Sequence, residues 1–145
     1  MFQIYSLHGS LTDLIIKVKG DFPDIDIHID KELAFYDYLI PGLESKEEIL
    51  TIRFKQGMIR VPNVDNGSIP WVAINPDKSR QQIGYADLGM LVVAHVKDFP
   101  LRLVRLDEYK TKEGMIYDIS KIYGHALQPN DILSGYVIAE LHKDS

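Results

Sequence analysis

Alternating hydrophobic and polar positions predict short β-strands along much of the chain. Residues 25–30 (IDIHID) alternate without a break, which is typical of a half-buried strand whose isoleucines face the core. Residues 48–54 and 58–61 flank a turn at 55–57 that contains a glycine, and this spacing predicts a hairpin. Further strands are predicted over residues 2–7, 70–74, 88–96, 101–109, 115–119 and 132–141.

Helical periodicity is confined to shorter stretches. Between Ser10 and Val18 the apolar side chains share one helical face and Ser10 can cap the first turn, so a helix is favoured there. A strand over 14–19 is the alternative, because that stretch is rich in β-forming residues. Residues 31–39 are predicted to form a short helix that Pro41-Gly42 ends. Residues 79–94 stay open between helix and strand, with the strand preferred from Leu88 onward.

Together these elements predict an α+β, β-rich fold. We expect an antiparallel barrel or sandwich of about 7–9 short strands with one or two short helices. The chain has 145 residues, a length typical of one domain, so residues 1–145 are expected to form a single domain. The loop at 62–70 is a possible boundary, but it would leave two halves too small to be stable alone.

Composition and charge narrow the classes of function. A hydrophobic fraction of 46% and a charged fraction of 26% exclude a disordered or fibrous chain. Sixteen basic against 21 acidic residues give a net charge of −5, which disfavours nucleic-acid partners because their phosphates bind cationic side chains. The absence of cysteine excludes disulfides, cysteine-ligated zinc and a cysteine nucleophile.

No segment has the pattern of a targeting signal or a membrane span. Residues 1–8 have neither a basic start nor an apolar block, so no secretory signal is expected. No stretch approaches the ~20 apolar residues that a membrane helix needs. The expected location is the cytoplasm, or an assembly such as a virion, without membrane contact.

Polar residues on one face of the strand at 25–30 are the best metal-ligand candidates. Asp24, Asp26, His28 and Asp30 lie on this face. Alternate strand residues are ~6.6–7 Å apart, so Asp26 and His28 could share a cation only with ligands from another element. A solvated strand face explains the same pattern. We therefore predict no metal and no cofactor.

A second candidate is a small metal-dependent nuclease. Asp98 followed by Glu108-Tyr109-Lys110 fits the loose pattern Asp…(Asp/Glu)-x-Lys of restriction-endonuclease-like folds. On a strand, Glu108 and Lys110 would share a face and hold a metal with an attacking water. The acid-x-Lys pattern occurs a second time, at Glu44-Ser45-Lys46. Composition alone predicts about this many occurrences. The nuclease is therefore kept as an alternative.

A third candidate is a barrel that binds single-stranded nucleic acid. Arg53 and Lys55 share one face of the predicted hairpin, with Phe54 between them. Interleaved cations and aromatics on strands hold single strands by charge and base stacking. The acidic total charge speaks against this function.

Several signatures of catalysis are missing from the sequence. Neither a Gly-x-Ser-x-Gly nucleophile motif nor a phosphate-binding glycine loop occurs. The five histidines form no His-x-His or His-x-x-x-His pair. His95, within an apolar run, is expected to be a semi-buried, hydrogen-bonded structural residue. An enzyme is therefore not the favoured class, and no catalytic residue is assigned.

Tyrosine is the remaining unusual feature of the sequence. Eight tyrosines occur, and Phe35-Tyr36-Asp37-Tyr38 forms a cluster. Tyrosine is favoured at interfaces because it offers a large amphipathic surface with few rotamers, although it is also common in sheets. We predict Tyr36 and Tyr38 to be interface residues. The favoured function is a non-enzymatic structural or interaction protein, such as a phage or virion accessory or connector component, that binds a protein partner or itself.

Overall fold

The computed structural model of the protein describes residues 2–44, 49–64, 67–106 and 109–144, with the backbone alone at 105 and 106. This part of the chain is rich in β-structure. Its strands are β1 (Phe2–Ser6), β2 (Asp26–Asp30), β3 (Leu33–Tyr36), β4 (Ile49–Arg53), β5 (Met58–Pro62), β6 (Ser68–Ile74), β7 (Arg80–His95) and β8 (Ile132–Lys143). Its helices are α1 (Leu11–Asp21), α2 (Ile40–Glu44), α3 (Leu101–Leu106) and α4 (Lys112–Tyr123), with 3-10 turns at Asp37–Leu39 and Val96–Asp98.

The long strand β7 organises the main sheet. On one edge, β8 pairs antiparallel with β7 from Gly84 to His95. On the other edge, β6 pairs with its first half and β1 with its second half. β4 extends the sheet beyond β8, and β3 pairs in parallel with β6. The resulting order is β3-β6-β7-β8-β4, with β3 and β4 at its two ends and β1 beside β7 off this path.

Apolar side chains on both faces of the sheet create two cores. Leu91 and Val93 of β7 pack in one cluster with residues of α1 and β5, whereas Val92 packs in the other cluster with residues of α3 and α4. This division follows from the alternation of side chains along a strand. The sheet therefore carries α1 and the parallel pair β2–β5 on one face, and α3 and α4 on the other.

The sheet curls into a half-barrel of mixed strand direction. Register shifts occur in the β6–β7 ladder at Trp71/Val72 and in the β7–β8 ladder beside Leu88, and such bulges bend and twist strands. The predicted antiparallel arrangement holds for the ladders of β7 and for β4–β8. It does not hold for β2–β5 and β3–β6, which are parallel.

The N-terminal helix and the long strand settle the two open predictions. In α1, the Ser10 side chain accepts a hydrogen bond from the Asp13 amide, so the favoured helix and its cap are confirmed. Residues 80–95 form β7 throughout. Within this strand Gly84 packs directly against the backbone of β8, an approach that no larger residue would permit.

Two predictions around residues 31–62 are wrong. Residues 33–36 form β3 rather than a helix, because Leu33 and Phe35 alternate into the core while β6 supplies a pairing edge. Pro41-Gly42 lies within α2 and ends no helix. The hairpin at 48–61 does not form either: β4 pairs with β8 and β5 with β2, although Gly57 occupies the predicted turn with φ +75°.

The C-terminal strand predictions at 101–109 and 115–119 are also wrong. The described part of 101–109 includes α3, and 115–119 lies inside α4. Thr111 caps α4 by accepting a hydrogen bond from the Gly114 amide, and Gly124 ends it in the left-handed conformation. The described residues thus form four α-helices, more than the one or two expected. None of these helices has the length and apolar character required to cross a lipid bilayer.

Candidate functional site

A cleft of about 1220 Å³ opens between the outer strands β3 and β4. The half-barrel does not close there, and the side chain of Arg53 spans the gap by donating from Nη1 to the Ala34 carbonyl at 3.1 Å. Residues of β2, β5 and α4 also line the cleft.

A buried ion pair that is hydrogen-bonded to a tyrosine lies at the cleft, where Asp30 and Arg60 are lining residues. Asp30 is only 7% exposed and accepts two-pronged hydrogen bonds from Arg60 at 2.9–3.1 Å. The Tyr136 hydroxyl donates to Asp30 Oδ2 at 2.5 Å, and His28 Nε2 lies 3.4 Å from Oδ1. Arg60 Nη1 also donates to the Tyr123 hydroxyl of α4 at 3.1 Å. The Asp30 carboxylate therefore joins β2, β5 and β8, and Arg60 links this cluster to α4.

The pKa values of this cluster follow from burial and from Asp30. Burial, reinforced by the neighbouring Asp30 carboxylate, raises the pKa of Tyr136 well above its ordinary value. Burial acts to lower the pKa of Arg60, but the hydrogen bonds and charge of Asp30 outweigh it and raise that pKa overall. At neutral pH the Arg60 guanidinium is therefore charged and the Tyr136 hydroxyl keeps its proton.

Arg53 differs from Arg60 because no described carboxylate pairs with it. Its guanidinium carbon lies 4.8 Å from the centre of the Phe35 ring, a cation–π contact. Its Nε is shielded from solvent and has no hydrogen-bond partner among the described residues. Burial lowers the pKa of Arg53, yet arginine stays charged at neutral pH. The cleft is thus lined by a cation that pairs with no described carboxylate.

The lining of the cleft is positively charged although the chain is acidic. The basic lining residues are Lys31, Arg53, Arg60 and Arg80, and the acidic ones are Asp30 and Glu32, an excess of two positive charges. Arg60 pairs with Asp30 and Arg80 with Glu32. The charge that is left over comes from Lys31 and Arg53, which favours an anionic ligand.

Exposed apolar side chains form the rim of the cleft. The rim comprises Ile29 (36% exposed), Tyr36 (51%), Tyr38 (74%), Leu39 (44%) and Ile122 (64%). The Tyr36 and Tyr38 rings stack with centroids 5.8 Å apart and planes within 9°. The structure therefore places both predicted interface residues at the cleft. That they contact a partner stays a prediction.

A smaller cavity of about 430 Å³ shares His28, Arg60 and Tyr123 with the cleft. Lys55 lines it, and Phe54 stacks there on His125 with ring centres 5.4 Å apart. The predicted basic face of Arg53 and Lys55 is thus divided between two neighbouring cavities.

The prediction that one face of β2 is polar and exposed to solvent is only partly correct. Asp24 and Asp26 are exposed as expected, but Asp30 is buried and Ile29 is exposed. The physical reason is the pair of strong donors, Arg60 and Tyr136, that faces Asp30 from β5 and β8. Both Asp30 oxygens are occupied by these donors, so Asp30 is not free to ligate a metal with its neighbours.

The two nuclease candidate residues that the structure describes, Asp98 and Lys110, do not lie on a strand. Asp98 ends a 3-10 turn and Lys110 precedes α4, while Glu108 lies outside the described residues. Residues 101–106, which were expected to begin the carrying strand, are helical. His95 is semi-buried as predicted, with Nδ1 3.9 Å from Asp98 Oδ2, but this nitrogen has no hydrogen-bond partner among the described residues.

No protein-family model, no curated protein and no solved structure matches this chain.

Proposed function

We propose that the protein is a non-enzymatic interaction protein that binds a protein partner in the cleft between β3 and β4. One observation carries the proposal: an apolar rim surrounds Arg53, a cation that pairs with no described carboxylate. Tyrosine and arginine supply much of the binding energy at protein interfaces, where an apolar centre excludes water around a few anchors. Tyr36 and Tyr38 are the exposed aromatic anchors of this cleft.

The partner presents a carboxylate next to an apolar side chain. A guanidinium binds a carboxylate through parallel hydrogen bonds, and the half-buried Arg53 side chain lines the cleft. The volume of about 1220 Å³ exceeds the ~300–1,000 Å³ of typical small-molecule sites. This size favours a segment of polypeptide over a metabolite. We also propose that this protein acts in the cytoplasm, or as an accessory or connector component of an assembly such as a virion.

Selection from a random-peptide display library tests the proposal directly. We expect enriched peptides to carry an acidic residue beside an aromatic or aliphatic one. A synthetic peptide from this set should bind Arg53→Met at least ~30-fold more weakly than wild type, because a desolvated charge pair loses ~2 kcal/mol or more. The matched control is Arg102→Met, since Arg102 is exposed on α3 and outside the cleft. Failure to enrich, or equal affinity for Arg53→Met, would contradict the proposal.

Light scattering over a range of protein and salt concentrations tests whether the partner is a second copy of the chain. A mass that doubles with concentration and returns to the monomer in Tyr38→Ala would assign the cleft to self-association. A monomer at every concentration assigns it to a different protein.

Single-stranded nucleic acid is a second candidate ligand. The observation that favours it is the proximity of cations and aromatic rings, Arg53 beside Phe35 and Lys55 beside the Phe54–His125 stack. Fluorescence anisotropy with labelled oligothymidylate distinguishes this candidate. Affinity that falls steeply with salt and drops in Arg53→Met would favour it over a peptide partner.

A further inference from the structure

We propose that Asp87, Glu140 and His142 form a binding site for a divalent transition-metal ion of the Zn²⁺ type. Their ligand atoms, one imidazole nitrogen and two carboxylate oxygens, all lie within 4.8 Å of one another. The three residues belong to β7 and β8, and none lines the cleft. This site is therefore independent of the proposed partner-binding function.

The β7–β8 ladder brings the three side chains together. Its register places Asp87 opposite Glu140. Glu140 and His142 are two residues apart on β8, a spacing that directs side chains to the same face of a strand. His142 Nε2 lies 2.6 Å from Asp87 Oδ2 and 3.7 Å from Glu140 Oε2. Ligands around a tetrahedral Zn²⁺ lie about 3.3–3.6 Å apart at normal bond lengths, so small side-chain shifts suffice.

The local charge is a second observation that favours a cation. Two carboxylates directly opposite each other on neighbouring strands repel. Among the described residues, His142 is the one basic group within ion-pair distance of Asp87 or Glu140, and the nearby Lys143 pairs with Glu44 instead. No fixed positive charge balances this pair, so a divalent ion would relieve the repulsion.

The donor set selects the class of ion. A histidine nitrogen with two carboxylate oxygens suits Zn²⁺ and its transition-metal neighbours, whereas Mg²⁺ and Ca²⁺ prefer sets made of oxygen alone. The side chains of Asp87, Glu140 and His142 are 46%, 67% and 50% exposed, so an ion can enter from solvent. Water can complete the coordination.

Calorimetric titration of the untagged protein with ZnCl₂ tests this site. We expect one bound ion per chain, at least about a tenfold loss of affinity in His142→Ala and in Asp87→Asn, and much weaker binding of MgCl₂. His8→Ala is the control, because His8 is exposed and lies outside the cluster. Titration with Co²⁺ adds the visible absorption that inner-sphere coordination produces, and His142→Ala should abolish it.

Three results would contradict the proposed metal site. They are the absence of Zn²⁺ binding to the wild type, unchanged Zn²⁺ affinity in both variants, and an equal loss of affinity in His8→Ala. Thermal unfolding of each variant shows whether it is folded. We expect the variants to fold, because the substituted side chains are exposed.

Discussion

The Asp30 carboxylate is buried because Arg60 and Tyr136 donate hydrogen bonds to it. The alternation of β2 locates the strand, but it assigns Asp30 to solvent because its partners are distant in the chain. Arg60 is 30 residues away and Tyr136 is 106 residues away. Burial of a charged group is stable only when strong donors surround it, and a local pattern contains no information about those donors.

Asp30→Asn is expected to lower the free energy of unfolding by about 3 kcal/mol, because Arg60 would lose its counter-ion in a partly buried position. Urea denaturation measures this loss. Asp26→Asn on the same strand is the control, since Asp26 is exposed, and its midpoint should match wild type. Equal midpoints for the two variants would show that the ion pair contributes nothing to stability.

Tyr136 makes the protein sensitive to alkaline pH. Its pKa is raised in the folded state, mainly by burial and then by Asp30, so the folded chain holds this proton more tightly than the unfolded chain. The associated stability is complete below the ordinary tyrosine pKa of about 10 and is lost progressively above it. Tyr136→Phe should reduce the loss of melting temperature between neutral pH and pH about 11.

A pH profile that is identical in wild type and Tyr136→Phe would contradict this assignment. Tyr5 contributes in the same direction, because burial and a hydrogen bond to Asp21 raise its pKa. Tyr5→Phe therefore separates the two contributions.

At the scale of single elements, a local sequence signal is sufficient where the contact that it predicts is itself local. The Ser10 cap predicts the start of α1 correctly, since its hydrogen bond lies within one turn. In contrast, residues 115–119 fit a strand or a helix equally well, because five residues are too few to separate periods of 2 and 3.6. Met115 and Ile119 face the core on consecutive turns of α4, which only the packing against the sheet reveals.

Two glycines of β7 provide a matched test of the β7–β8 ladder. A Cβ at Gly84 would collide with the backbone carbonyl of His142, whereas a Cβ at Gly89 meets no atom within 4 Å. Gly84→Ala is expected to lower the free energy of unfolding by about 3 kcal/mol. Gly89→Ala should leave it unchanged or raise it by up to ~1 kcal/mol. Denaturation of both variants checks this, and similar values would refute the close approach.

At the scale of the whole molecule, the cleft could be predicted only in fragments. Tyr36 and Tyr38 are identifiable as exposed aromatics, and Arg53 is identifiable as a cation with a possible binding role. Their meeting depends on the curvature that brings β3 and β4 to opposite sides of one opening. Non-local strand pairing determines this curvature, and the hairpin predicted from sequence placed β4 beside the wrong strand.

Arg53 is expected to hold the two sides of this opening together. Arg53→Met removes the hydrogen bond to Ala34, so the amides of β3 should exchange hydrogen faster, while those of β7 and β8 keep their protection. Hydrogen-exchange mass spectrometry measures both regions, with Arg102→Met as the control. Uniform exchange changes across the sheet would indicate global destabilisation instead.

The position of β7 between β1 and β8 also determines how the fold bears mechanical force. Both neighbours run antiparallel to β7, with Phe2 beside Ala94 at one end and Lys143 beside Gly84 at the other. Pulling Phe2 and Lys143 apart would drag the two strands in opposite directions along β7. The hydrogen bonds of each ladder would then carry the load together, in shear. Stretched along this line, the molecule is expected to rupture at far higher force than when the same strands are peeled from one end.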